Sequence, residues 1–199
     1  VAALQAHAQT ACPARLFASG FFSTVHVYDA CTGQYLRDLD VRNRLFGAMA
    51  VRLGPDGLLY VVAERSGTIH KYRNDTLEYV GEFANVGVTT GATGLAFDAA
   101  GIAYVAGYTT DDVRRYGRDG APLGLAFPAR AAGLNGPDNG MTFGPDGNLY
   151  VPGYDSHSVV RFDPRTGAAS VAVAPFTANL TNTRGLLPAR DGRHMFITS

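Results

Sequence analysis

The sequence predicts an all-β fold of repeated four-stranded sheets, and three observations carry that expectation. Tyr60, Tyr104, Tyr150 and Phe196 each follow a glycine turn by three or four residues, and Phe17 extends the series, at spacings of 43, 44, 46 and 46 residues. The same text surrounds them: Gly57-Leu-Leu-Tyr-Val, Gly101-Ile-Ala-Tyr-Val, Gly147-Asn-Leu-Tyr-Val and the looser Gly192-Arg-His-Met-Phe-Ile. No segment shows sustained helical periodicity. A period of about 45 residues, built of short strands and turn signals, is the pattern of a β-propeller blade.

Aligned on the aromatic, each unit reads as four strands. The innermost are Met49 to Leu53, Gly94 to Phe97, Gly140 to Phe143 and Gly185 to Leu187. Tight turns follow them: Gly54-Pro-Asp-Gly57, Asp98-Ala-Ala-Gly101, Gly144-Pro-Asp-Gly147 and Arg190-Asp-Gly192. Proline presets one turn dihedral, and the closing glycine supplies a positive φ. The second strand carries the Tyr-Val text, and the third ends in Tyr28, Tyr72, Tyr116 or Phe162. A further turn (Thr32-Gly33, Asn74-Asp75, Asp119-Gly120, Thr166-Gly167) leads to an outer strand such as Tyr79 to Phe83 or Ala168 to Val173. The recurring rings are expected between neighbouring blades, where a flat ring fills the wedge between twisted sheets.

This reading makes residues 1–199 one propeller domain, with blades at about 1–40, 46–84, 93–128 and 139–174 and an incomplete one at 185–199. Roughly four and a half repeats leave an unpaired strand edge, a liability in a finished protein. The remainder of a propeller, or another chain, is therefore expected to close the ring.

Seventeen basic residues balance seventeen acidic ones, and no basic run appears. Binding by phosphate neutralisation, and with it a nucleic-acid partner, is not expected. Lys71 is the single lysine. No apolar stretch approaches the 18 or so residues of a membrane span.

The third full unit, Gly147-Asn-Leu-Tyr-Val-Pro-Gly-Tyr-Asp-Ser-His-Ser-Val-Val-Arg-Phe-Asp163, resembles the NHL repeat, with His157 on that family's histidine. The resemblance extends to the gluconolactonase and senescence-marker propellers and to the streptogramin lyases, and it implies a parent ring of six blades. Members with metal-dependent activity hold the ion with an Asp three residues past the strand aromatic and an Asn before a glycine. Here the five equivalent positions are Gly20, Ala63, Gly107, Gly153 and Ser199, none a carboxylate. The Asn has a counterpart in Asn139, which leaves it a weak metal candidate, because a hard cation needs several converging oxygens. No metal, cofactor or catalytic residue is assigned. His26 and His70 share one register, two before the third-strand aromatic, and read as surface or interblade residues. His7, His157 and His194 lack a recurrent Ser, Cys or carboxylate partner.

In a propeller, the loops entering the inner strands and those from second to third strand open on one face around the axis, where function gathers. The residues before the inner strands are Met49, Thr93, Asn139 and Arg184; those four past each aromatic are Phe21, Glu64, Tyr108 and Tyr154. Phe21, Glu64, Thr93, Tyr108, Asn139, Tyr154 and Arg184 are the candidate ligand-binding residues, since an aromatic rim beside Arg and Asn suits a carbohydrate, a peptide or a protein surface. The expected function is a non-catalytic exported propeller that binds or scaffolds such a partner. The alternative is a hydrolase or lyase whose further catalytic residues lie beyond residue 199.

The compartment, secreted or periplasmic, follows from the cysteines. A turn centred between Phe21 and Phe22 would pair Phe17 with His26 and Cys12 with Cys31, as a disulfide requires, and disulfides persist in oxidising compartments. The opening Val1-Ala-Ala-Leu-Gln-Ala-His-Ala reads either as the tail of a secretory signal or as an innermost strand, Ala2 to Ala6. Mass spectrometry of unreduced peptides should find Cys12 linked to Cys31; two alkylatable thiols would rule the bond out.

Overall fold

The computed structural model describes residues 14–199. Among the described residues, seventeen strands form five antiparallel sheets, and the only helical segments are three 3₁₀ turns of three residues each. The first sheet is β1 (Arg15–Ser19), β2 (Val25–Asp29) and β3 (Tyr35–Asp38). The second is β4 (Ala48–Leu53), β5 (Leu58–Ala63), β6 (Thr68–Arg73) and β7 (Tyr79–Asn85). The third is β8 (Ala92–Phe97), β9 (Ala103–Gly107), β10 (Asp112–Tyr116) and β11 (Pro122–Leu125). The fourth is β12 (Thr142–Phe143), β13 (Leu149–Gly153), β14 (Ser158–Phe162) and β15 (Ala169–Val173). The fifth pairs β16 (Leu186–Pro188) with β17 (Met195–Ile197). Each complete sheet is a meander in chain order. Inner strands β4, β8, β12 and β16 neighbour one another in turn, so the sheets fan about a common axis.

The glycine turns form as their residues dictate. Gly57 and Gly147 have φ of 78° and 75° and donate to the carbonyls of Gly54 and Gly144, 3.0 Å away in each case. The turn aspartate then captures the strand aromatic: Tyr60 Oη donates to Asp56 Oδ2 at 2.9 Å, and Tyr150 Oη to Asp146 Oδ2 at 3.0 Å. A buried phenol needs such a partner. Its ring meets the neighbouring sheet. Tyr60 lies edge-on to Phe97 at 4.9 Å between centroids, and Tyr104 edge-on to Phe143 at 5.2 Å.

Each of three hydrophobic clusters accordingly straddles two sheets: Val25, Val27, Leu59 and Tyr72 join the first to the second, Tyr60, Val62, Leu95 and Val105 the second to the third, and Tyr104, Val113, Met141 and Val151 the third to the fourth. Tyr150 is half-buried, and Phe196 is exposed on β17.

The first hairpin departs from expectation. Phe17 pairs with Val27, not His26, because Gly20 N donates to Thr24 O and widens the turn by one residue. Cys12 lies outside the described residues, and among the described residues no cysteine is free. No helix among them is long and apolar enough to cross a membrane.

Leu95, fully buried between the second and third sheets, should lose about 2–5 kcal/mol on truncation to Ala, against under about 0.5 kcal/mol for exposed Leu125→Ala. Urea denaturation of the two variants checks this.

Candidate axial binding site

The inner strands begin with a shared irregularity that aims side chains at the axis. In β4, Met49 and Ala50 together oppose one residue of β5, and in β8, Thr93 and Gly94 do the same against β9. Such a bulge turns a side chain out of the ladder. Close approach between sheets completes the arrangement: a Cβ on Gly140 would meet the Arg184 carbonyl at 2.0 Å, so glycine alone lets the fourth and fifth sheets converge here.

Phe21, Met49, Glu64, Thr93, Tyr108, Asp138 and Arg184 line one cavity of about 270 Å³. Five of the seven sequence candidates are therefore brought together. Tyr154 joins their rim, its ring 6.3 Å from that of Tyr108 and 4.5 Å beneath the Arg184 guanidinium. Asn139 faces an adjoining cavity on the axis, its N–H donating to Asp138 Oδ1 and its carbonyl accepting from Arg52. Thr93 is buried and donates to the Pro137 carbonyl at 2.8 Å, a structural tether across two sheets. A larger cleft of about 570 Å³ lies between the fourth sheet and β16–β17, away from this convergence.

Met49 and Asp138 line the cavity without having been candidates, and Asp138 is the charged one. It is 2% exposed, and Arg184 Nε stands 3.7 Å from its Oδ2. Burial raises its pKa above the ordinary carboxylate range, against the Asn139 N–H and Arg184, which lower it. Glu64 is raised as well, first by burial and then by the negative charge of Asp138. Burial and a hydrogen bond to Asp155 push the Tyr108 phenol up to about 12. The site thus holds two carboxylates that are costly to ionise, one arginine and an aromatic wall. Asp138 was visible in the sequence only as the neighbour of Asn139. Its backbone is held by the bridge of Pro137 to Gly153 and by its own N–H, which donates to the Pro152 carbonyl at 3.0 Å.

The missing metal carboxylates have a steric counterpart. A Cβ at Gly20, Gly107 or Gly153 would run into the hydroxyl of Ser23, Thr110 or Ser156 at 2.0 to 2.4 Å. An aspartate there would displace the hydroxyl three residues on. Among the described residues, no group of three or more His, Cys, Asp and Glu converges.

His7 lies outside the described residues; His26, His70, His157 and His194 are not part of the axial cavity and have partners the sequence did not reveal. His26 bridges Ser23 Oγ at 3.1 Å and Asp38 Oδ1 at 2.6 Å on the outer part of the first sheet. His70, in the same register, bridges Thr68 and Tyr79. Recurrence in two sheets marks a stitch between outer strands. His157 Nδ1 accepts from Asn182 N, and His194 pairs with Asp191.

No protein-family model matches the chain, and no curated protein does. Solved structures match over most of it. Virginiamycin B lyase from Staphylococcus aureus is 14% identical with a TM-score of 0.69, over 89% of this chain and 56% of the lyase. A calcium-binding protein, regucalcin, from Agrobacterium tumefaciens is 15% identical with a TM-score of 0.66, over 93% and 64%. A gluconolactonase from Xanthomonas campestris is 18% identical with a TM-score of 0.63, over 76% and 54%. The chain is a β-propeller related to these in fold, and it spans between about half and two thirds of their length. At such identities the likeness shows the fold alone.

The raised pKa of Glu64 fixes a sign. A folded state that disfavours the carboxylate carries a cost above the folded pKa, relieved as pH falls through it. Glu64→Gln should therefore raise the thermal midpoint at pH 7, and the gain over wild type should vanish near about pH 4. Thermal melts at the two pH values check it.

Proposed function

We propose that this chain is an exported, non-catalytic propeller that binds a peptide, protein or carbohydrate partner on its axial face, in a ring closed by further blades. The observation that carries the reading is convergence. Residues from equivalent turns of different sheets, gathered around the axis by the stacking of the repeats, surround one cavity and present different chemistry to it: aromatic rings at Phe21, Tyr108 and Tyr154, carboxylates at Glu64 and Asp138, a cation at Arg184. A partner that stacks on the rings and donates hydrogen bonds to the carboxylates would offset the cost of their burial. Aromatic anchors ringed by polar groups are also the usual centres of binding energy. Export rests on the expected Cys12–Cys31 bond.

One observation favours the second reading, a hydrolase or lyase. Carboxylates whose pKa is raised inside a cleft are what general acid catalysis uses, and the fold is shared with a lyase and a lactonase. The variant Tyr108→Ala/Tyr154→Ala separates binding from packing. Affinity for ligands drawn from peptide and oligosaccharide arrays should fall by about 2 kcal/mol or more per ring, with little change in stability, because both rings are partly exposed. Normal binding with lost stability would assign the rings to the core. Turnover of an arrayed ligand, abolished by Glu64→Gln, would establish the enzyme reading instead.

A further inference from the structure

Arg52 combines partial burial with partners that carry no charge. It stands on β4 where that strand faces the axis, and its Nη2 reaches the Asn139 carbonyl of the fourth sheet at 2.8 Å while Nη1 donates to the Val51 carbonyl at 3.0 Å. Both acceptors are neutral. Arg44, Arg114, Arg130, Arg165 and Arg184 each have an aspartate within ion-pair distance, whereas no carboxylate among the described residues pairs with Arg52. Burial lowers its pKa with no charged neighbour to offset the effect.

A guanidinium has five N–H donors, and two are spoken for. The side chain lines a cavity of about 310 Å³, whose wall also includes Ser19, Asn139, Gly140 and Gly185, and among the described residues Arg52 is the one charged residue on it. A partly buried cation without an ion-pair partner is costly to keep. Its planar fork matches a carboxylate with two parallel hydrogen bonds. Met49 lines both this space and the rim cavity, and a single guanidinium offers one positive charge, which a singly charged anion balances.

We propose that the axial cavity at Arg52 is a binding site for a small, singly charged carboxylate. The site is separate from the aromatic rim and does not depend on the rim's role. Benzoate and acetate are the probes, with inorganic phosphate as the contrasting anion, titrated into the full-length protein by calorimetry and followed at the arginine Nε–H resonances by NMR. Benzoate should bind saturably and move one resonance, identified by its absence in Arg52→Lys. Arg52→Met should weaken binding by about tenfold or more, and the Tyr108→Ala/Tyr154→Ala variant should keep it. Without ligand, Arg52→Met should melt at or above the wild-type temperature, because a partnerless charge has been removed. Absence of saturable binding, undiminished binding by Arg52→Met, or, should that variant not fold, an unmoved Arg52 resonance in the wild type would overturn the site. Phosphate binding tighter than benzoate would overturn the ligand class.

Discussion

The wedge between adjacent sheets is the constraint on which the rest of this structure depends. Two twisted sheets that share an axis diverge outward, and the gap must be filled by a residue that is wide and flat yet able to satisfy a polar tip. Tyrosine meets both demands. Tyr60 and Tyr104 lie edge-on to Phe97 and Phe143 of the next sheet, and their hydroxyls turn back to Asp56 and Asp98. One side chain thus couples a turn, its own strand and the neighbouring inner strand. Because hydrophobic clusters run between sheets and not within them, no sheet has a core of its own, as expected where repeats bury area only by stacking.

This coupling sets where the inner strands begin, and so builds the site. Met49, Thr93 and Arg184 occupy one repeat register, and Phe21, Glu64 and Tyr108 another; stacking turns two linear registers into one ring of side chains. The bulges opposite Val62 and Ala106 lie where that aim is set. Electrostatics at the site then follows from enclosure. Asp138 is buried beside Arg184, and its charge raises Glu64 in turn. In the adjoining cavity, Arg52 donates to two backbone carbonyls.

Local chemistry made much of this legible in the sequence. Glycines at the ends of turns, the Pro-Asp-Gly text and the spaced aromatics are demands of single turns and strands, so they state the all-β repeat, the strand order and the two rows of loop residues without reference to anything distant. The interblade rings were readable for the same reason. Other features depend on contacts between residues far apart in the chain. The burial of Asp138, the reach of Arg52 across 87 residues to Asn139, and the hydroxyls that occupy the space above Gly20, Gly107 and Gly153 are outcomes of how sheets approach one another. The first-hairpin register was misjudged by one residue because Gly20 N bonds to Thr24 O, a choice of turn width that side-chain identity leaves open. Repeat chemistry by itself determined the scaffold and the candidate rows, since each repeat must solve the same local problem. Only the tertiary structure decided which charges are enclosed, because desolvation is set by the neighbouring sheets and not by the residue's own strand.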